Sequence, residues 1–352
     1  MQKKNEIGYL GKNLIFLISQ PRSGSTLLQK ILGSHLKIHT ISEPWLMLHP
    51  FYALRHTGYQ AEYGHRQAVS ALENFLLTFP EGKNHYFEGI RRMYGFLYGS
   101  ALKNSGKSYF LDKTPRYYLI ILELYHTFPD AHFIILYRNP IAVLCSIIET
   151  WVKKDWYLLY EYKNDLIRAP RLLIEGAAFL EDRCITVHYE QYVQNPKLEI
   201  QRICNMLGVE FKEEMIEYKN HKHTRWEFGD QESVYKHMRP NPENVGKWAN
   251  MLSDPQVWRL VRDYLPMLGK DTIEELGYPY EELVETVRKL RPHHSKPRLV
   301  APLSFLLREP VRKQKFWGRS ILPLIMSLRW RGLRGTALAV MKGALNAVSR
   351  FG

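Results

Sequence analysis

The sequence has few cysteines and no long apolar run. Cys145, Cys184 and Cys204 are its only cysteines, and no two of them have a CxxC spacing. We therefore expect neither a disulfide framework nor a cysteine-rich zinc site, and a reducing compartment fits this usage. The chain also lacks a stretch of the roughly 18 apolar residues that a membrane helix needs, and no cleavable leader is recognised. We expect no transmembrane helix and no secretory signal.

Acidic residues are scarce at the C-terminal end. The 352 residues carry a net charge of +14, and residues 291–352 hold 13 lysines and arginines but a single acid, Glu309. This segment therefore supplies +12 of the charge and leaves only +2 for residues 1–290. Prolines also interrupt its apolar stretches. We predict one globular domain, residues 1–290, followed by a basic amphipathic extension, residues 291–352.

The extension alternates apolar stretches with cations. The stretches are 303–307, 321–328 and 336–340, and arginines and lysines stand between them. This composition is typical of segments that lie at the surface of an anionic membrane, where each cation contributes about 1 kcal/mol. We predict peripheral membrane association through the tail, with a docked or partly disordered basic extension as the alternative. We expect no nucleic-acid partner.

Short apolar runs alternate with helical patterns through the first 210 residues. The runs predict strands at 14–19, 109–111, 132–137 and 184–188. Helices are predicted from about 23 to 33, from 115 to 125, from 140 onward and from 196 to 207. This alternation indicates a doubly wound, parallel sheet.

The segment between the first strand and the first helix is suited to binding an anion. It contains Arg22, Ser23, Gly24, Ser25 and Thr26. Small residues let backbone N–H groups converge on an anion at the helix N-terminus, and the hydroxyls add donors. Arg22 supplies a fixed, forked charge for phosphate or sulfate oxygens. The segment is not a Walker A loop, because Ser25 stands where that loop needs lysine. A P-loop kinase that uses ATP is the competing hypothesis for an enzyme.

This segment resembles the 5′-phosphosulfate loop, P-[KR]-S-G-[ST]-T, of the sulfotransferases that use PAPS (3′-phosphoadenosine 5′-phosphosulfate). A second motif of that family is an arginine at a strand end with a serine eight residues later, at the 3′-phosphate site. Arg138 and Ser146 have this spacing. Arg138 also follows the carboxyl end of a predicted strand, where open α/β sheets bind ligands. The resemblance implies a P-loop NTPase-like three-layer sandwich, with a central parallel sheet flanked by helices.

Three further segments are similar to family motifs. Tyr189 stands where the family has a tyrosine near the adenine, and Gly246 and Lys247 lie in a segment similar to the late loop over the cofactor. Lys113 lies in a Lys-Thr-Pro run similar to that of glycan-directed members. The chain is more similar to bacterial and glycan-type members, which use a glutamate base, than to the cytosolic histidine type. The resemblance implies PAPS as co-substrate and no metal.

The resemblance also implies catalytic roles. The acceptor oxygen attacks in line, and Arg22 and Lys113 are our candidates to stabilise the charge that builds on the bridging oxygen. The glutamate-type members carry their base after the second strand, where this chain has Glu43. A positioned base contributes about 10²–10⁴ in rate. Glu43 is our first choice, and His49 and Asp112 remain alternatives.

The predicted function is therefore a PAPS-dependent sulfotransferase, of the EC 2.8.2 type, whose catalytic domain is residues 1–290. The acceptor is a hydroxyl, with a glycan or glycolipid favoured because aromatic residues are frequent between residues 45 and 100. The location expected is the cytoplasm, peripheral to a membrane. A non-enzymatic protein that binds membranes is the alternative from another class, but it would leave the spacing of Arg138 and Ser146 to chance.

Overall fold

The computed structural model describes residues 11–153, 155–218, 239–292 and 303–307. A five-stranded parallel sheet lies at its centre, in the order β2-β3-β1-β4-β5. The strands are β1 Leu14–Ser19, β2 Ile38–Thr40, β3 Tyr109–Lys113, β4 His132–Tyr137 and β5 Cys184–His188. The predicted central parallel sheet flanked by helices is confirmed.

β1 is the central strand because its sequence is apolar on both faces. Leu14, Phe16 and Ile18 point into one core, while Ile15 and Leu17 point into the other, and all five are fully buried. A strand covered on both sides must be continuously hydrophobic, which explains the unbroken apolar run that the sequence shows.

Helices cover both faces of the sheet. They are α1 Ser25–Gly33, α2 Leu48–Tyr52, α3 His65–Leu76, α4 Lys83–Ser105, α5 Ile121–Thr127, α6 Pro140–Ile147, α7 Ala169–Leu180, α8 Tyr189–Gln194, α9 Pro196–Leu207, α10 Trp248–Met251, α11 Pro255–Leu268, α12 Lys270–Glu275, α13 Tyr280–Lys289 and α14 Leu303–Leu306. Within the described ranges, no helix is both long enough and apolar enough to span a membrane.

Two sequence predictions differ from the structure. The helix expected from Pro115 through Tyr125 is a 3₁₀ turn, Pro115–Leu119, followed by α5, because Ile120 leaves the helical region with φ of −139°. β2 was not among the predicted strands. It has three residues, of which only Ile38 is buried. A run this short cannot show the alternation of apolar and polar residues from which a strand is predicted.

All the predicted motifs but the late loop follow the carboxyl ends of strands. The Arg22–Thr26 loop follows β1, Glu43 follows β2, Lys113 ends β3, Arg138 follows β4, and Tyr189 follows β5. In a parallel sheet these ends share one edge. β1 lies between β3 and β4, so the chain turns to opposite sides of the sheet there, and such switch points form ligand crevices.

A third hydrophobic cluster lies beside the sheet and reaches into the predicted extension. Leu303, Leu306 and Leu307 are at most 4% exposed and belong to the same cluster as the buried face of α11. These leucines were predicted as part of an interfacial tail, but in the structure they are covered by protein. Most of the extension, residues 293–302 and 308–352, lies outside the described residues, and the boundary near residue 290 stays a prediction.

Truncation after residue 290 should therefore destabilise the protein more than truncation after residue 310 does. Three leucines that leave a core lower the free energy of unfolding by roughly 4 kcal/mol, which lowers the melting temperature by about 10 °C. Differential scanning calorimetry of both truncations against the full chain measures this. Equal melting temperatures for the two truncations would contradict the assignment of these leucines to the core.

Candidate functional site

The predicted phosphate loop, Arg22 to Thr26, has an unusual backbone. Arg22 and Gly24 have φ of +68° and +88°, both in the left-handed region. A Cβ on Gly24 would lie 2.4 Å from Cδ2 of Tyr189 and 2.9 Å from the hydroxyl of Tyr192. That hydroxyl donates to the Gly24 carbonyl at 2.9 Å. Only glycine fits here, because the loop passes directly under the two tyrosines of α8.

The two motifs that carry the family resemblance meet at Arg22. Nε of Arg22 donates to the Ser146 hydroxyl at 3.1 Å. Nη1 of Arg138 donates to the backbone carbonyl of Arg22 at 2.7 Å. The Arg138 guanidinium also lies 4.2 Å from the centre of the Tyr189 ring. Residues from β1, β4, α6 and α8 are thus brought together, although more than 100 positions separate the first from the others.

Arg138 is held in place by the turn that carries it. Glu190 accepts a hydrogen bond from the backbone N–H of Asn139 at 3.0 Å and another from the Tyr278 hydroxyl at 2.6 Å. Burial, followed by the negative charge of Glu190, raises the pKa of Tyr278, which therefore remains a donor. The carboxylate of Glu190 fixes the start of α6 and the strand end before it.

A buried ion pair lies on the other side of the loop. Nζ of Lys113 is 2.5 Å from Oε1 of Glu43 and 3.3 Å from the hydroxyl of Thr26. The Lys113 side chain has no exposed surface, whereas that of Glu43 is 11% exposed. The structure thus brings the first-choice base, the second candidate cation and the phosphate loop into contact.

The two alternative bases lie in different surroundings. Asp112 is fully buried, and its carboxylate accepts from the hydroxyls of Tyr98, Tyr117 and Thr114 at 2.6, 3.0 and 3.0 Å. Burial raises its pKa to about 6, although these hydrogen bonds act in the other direction. An acceptor has no path to such a group. His49 is exposed on α2.

Gly246 and Lys247 are both exposed. The carbonyls of Gly246 and Lys247 accept from Ala249 and Asn250 in the turn that opens α10. The neighbouring Pro242–Asn244 turn packs on α8, and α10 packs on α6, so the segment lies beside the helices that carry Tyr189 and Ser146. The described contacts do not bring Gly246 or Lys247 themselves to the phosphate loop.

The sequence alone did not point to Arg116 or Asp165, nor to the contact between Trp151 and Arg22. The guanidinium of Arg22 lies 5.7 Å from the Trp151 ring, and Arg116 forms an ion pair with Asp165 at 2.7 Å. Arg116 stands directly after the Lys-Thr-Pro run, and this position is the sequence feature that could have identified it. Asp165 lies 49 residues from Arg116, a distance from which no spacing rule connects them.

Comparison with known proteins gives consistent matches. A profile of the sulfotransferase family matches residues 14–213. Nodulation protein NoeE of Sinorhizobium fredii is 28% identical over 290 residues, which cover 75% of this chain and 66% of NoeE. Protein-tyrosine sulfotransferase 1 of Danio rerio is 23% identical and covers 81% of this chain and 80% of that protein. The solved sulfotransferase domain of the Synechococcus PCC 7002 olefin synthase has a TM-score of 0.46 at 24% identity, covering 70% of this chain and 91% of that domain.

The profile match spans more than half of the 352 residues. The chain belongs to the sulfotransferase family. The predicted PAPS-dependent sulfotransferase is thereby confirmed, and the ATP-dependent kinase is set aside. This sulfotransferase spans about two thirds of the length of NoeE, at 66%.

The site of this sulfotransferase fits the two anionic groups of PAPS. The Ser23 hydroxyl and Nε of Arg138 are both buried without a hydrogen-bond partner. Buried donors left in this way are costly unless a ligand satisfies them. One lies in the phosphate loop and the other at the predicted 3′-phosphate site, as two separate anions require. No group of three or more His, Cys, Asp or Glu side chains in the described ranges could hold a metal ion.

Gly24→Ala should abolish most of the affinity for PAP, the desulfated donor. The new methyl group would collide with Tyr189 and distort the loop, so we expect a loss of at least tenfold. Gly208→Ala is the matched control, because Gly208 also has a positive φ, of +65°, but no atom lies within 4 Å of its Cβ position. Both variants carry about 1–2 kcal/mol of backbone strain, yet only the first should lose PAP in titration calorimetry. Equal PAP affinity in both would contradict the site.

Proposed function

We propose that this sulfotransferase transfers a sulfuryl group from PAPS to a hydroxyl of a glycan or glycolipid, with Glu43 as the general base. The observation that carries the proposal is the contact of Glu43 with Lys113, and of Lys113 with Thr26 of the phosphate loop. A base must lie within reach of the proton that it removes from the attacking acceptor, and the position of Glu43 beside the phosphate loop supports that requirement.

The proposed role of each site residue follows from its position. The loop from Arg22 to Thr26 would hold the 5′-phosphosulfate, and Arg138 with Ser146 would hold the 3′-phosphate. Bound PAPS supplies the sulfuryl group and a phosphate leaving group. Lys113 and Arg22 would stabilise the charge that develops at the leaving oxygen, because fixed cations in a water-poor site act strongly on such charge.

Glu43 would remove the proton of the acceptor hydroxyl. Each carboxylate oxygen has two lone pairs, so an oxygen that accepts from Lys113 can still accept another proton. The side chain is 11% exposed, which leaves it a path to an acceptor. Asp112 lacks this path, because its carboxylate is enclosed by two tyrosines.

The glycan or glycolipid preference is supported by the aromatic residues of the segment that follows Glu43. Trp45 is half-buried and donates to Glu43, Tyr52 lies on α2, and Tyr86 on α4 donates to the Pro50 carbonyl. Aromatic rings with a polar edge suit ligands that present both apolar faces and hydroxyls. The name of the Danio rerio relative points to protein tyrosine, so a tyrosine peptide belongs in any acceptor panel.

Glu43→Gln should remove catalysis without weakening the binding of the donor PAPS. The amide keeps the size of the side chain but cannot take a proton, so kcat should fall about 10²–10⁴-fold. The assay is transfer of labelled sulfate from PAPS to a panel of oligosaccharides, glycolipids and tyrosine peptides, with PAP affinity measured in parallel. His49→Gln is the matched control and should retain activity. Full activity in Glu43→Gln would refute this base, and transfer to the tyrosine peptide alone would refute the proposed acceptor class.

We also propose that the basic tail associates with anionic membranes from the cytoplasmic side. Its charge supports this, and a truncation after residue 310 tests it while keeping the buried leucines. Vesicles that contain about one third anionic lipid should sediment the full chain but leave most of the truncated chain in solution, since each cation contributes about 1 kcal/mol. Neutral vesicles are the control. Equal sedimentation of both chains would contradict the proposal.

A further inference from the structure

Trp45 has a backbone conformation that an aromatic residue rarely adopts. Its φ is +55°, in the left-handed region, where the Cβ of a bulky residue crowds its own backbone. Residues held in this way persist only where surrounding contacts fix them, and they cluster at functional sites. Trp45 stands two residues after Glu43, and Pro44 between them restricts the backbone of Glu43 to extended conformations.

Three contacts hold Trp45 in this conformation. Its backbone N–H donates to the Thr114 hydroxyl at 3.3 Å, and its indole N–H donates to Oε2 of Glu43 at 3.2 Å. The Arg116 guanidinium lies 5.5 Å from the centre of the indole ring, within the range of a cation–π contact. The strain is therefore stabilised by residues of the segment that follows Lys113.

Arg116 is fixed in turn by a buried acid. Nε of Arg116 donates to both oxygens of Asp165 at 3.0 and 3.2 Å, and Nη2 donates at 2.7 Å. The Tyr118 hydroxyl donates to the same carboxylate at 2.7 Å, and the side chain of Asp165 is 2% exposed. Burial by itself lowers the pKa of Arg116, but the hydrogen bonds and charge of Asp165 outweigh it, and the net direction is upward. The cation over Trp45 is permanent and immobile.

We propose that Trp45, held by Arg116 and Asp165, is a positioning residue that orients the Glu43 carboxylate toward the acceptor. The proposal rests on the proposed role of Glu43 as base. Lys113 takes one carboxylate oxygen and Trp45 takes the other, so rotation of the group is blocked from both ends. The lone pairs that remain then point in one fixed direction, as transfer of the acceptor proton requires.

Trp45→Phe removes the indole N–H and keeps an aromatic ring under Arg116. We expect kcat to fall about tenfold, while the affinity for PAP stays within about twofold of the wild type. The KM for the acceptor should change by less than about twofold, because losing an interaction that acts only in the transition state lowers kcat and kcat/KM equally.

Trp258→Phe is the matched control. Trp258 also donates its indole N–H, to the carbonyl of Val287 at 2.7 Å, and Arg262 and Arg291 lie 5.4 and 5.7 Å from its ring. It packs against the third cluster, so its loss should lower the melting temperature and leave kcat unchanged. An equal fall of kcat in both variants, or a fall in neither, would overturn the proposal.

Arg116→Gln provides a second, independent measurement, and it decides the question if Trp45→Phe does not fold. It removes the cation and keeps Trp45, and kcat should again fall while the affinity for PAP holds. The wild type separates the two ideas: if it transfers no sulfate to any acceptor in the panel, the proposed function fails. If it is active and Arg116→Gln keeps the wild-type kcat, only the positioning role fails.

Discussion

The site depends on one buried charge. Lys113 ends β3 with no exposed surface, and an ammonium group in that position costs several kcal/mol unless it is paired and hydrogen-bonded. Glu43 and Thr26 meet this need, and in doing so they fix the segment after β2 and the first turn of α1 against the end of β3. The same contact brings a cation to a phosphate loop whose own sequence has Ser25 in place of the Walker lysine. A neighbouring strand thus adds a second cation, Lys113, beside the loop that already carries Arg22.

The opposite side of the loop is built around a single backbone carbonyl. Arg138 donates to the carbonyl of Arg22, and the side chain of Arg22 reaches Ser146. The left-handed conformation of Arg22 directs its carbonyl and its side chain to these two partners, so the strain in the loop serves to link two distant motifs. Because Glu190 accepts from the backbone N–H of Asn139, contacts within the protein fix the turn beside the predicted 3′-phosphate site.

The sequence predicted what is local and could not predict what depends on packing. β1 and the loop that follows it could be predicted because an unbroken apolar run and a short motif lie side by side, and a strand buried on both faces requires such a run. The pairing of Arg138 with Ser146 could be predicted because Arg138 lies directly before the helix that carries the serine. By contrast, the contact of Arg116 with Asp165 joins separate elements, and the left-handed φ of Trp45 follows from its surroundings rather than from its neighbours in the chain. The buried leucines after residue 302 were misassigned because their flanks are basic.

Two carboxylates near the end of β3 show how burial separates structural from chemical roles. Asp112 points away from the cleft into the core that Tyr98 and Tyr117 form, and burial raises its pKa to about 6. Its carboxylate accepts from three hydroxyls, and these hydrogen bonds hold the Tyr98 helix and the turn after β3 in place. Lys113, the next residue along the strand, points to the other face and meets Glu43. The alternation of a β-strand therefore places a purely structural acid and the ion pair of the site on adjacent residues, and it directs them to opposite sides.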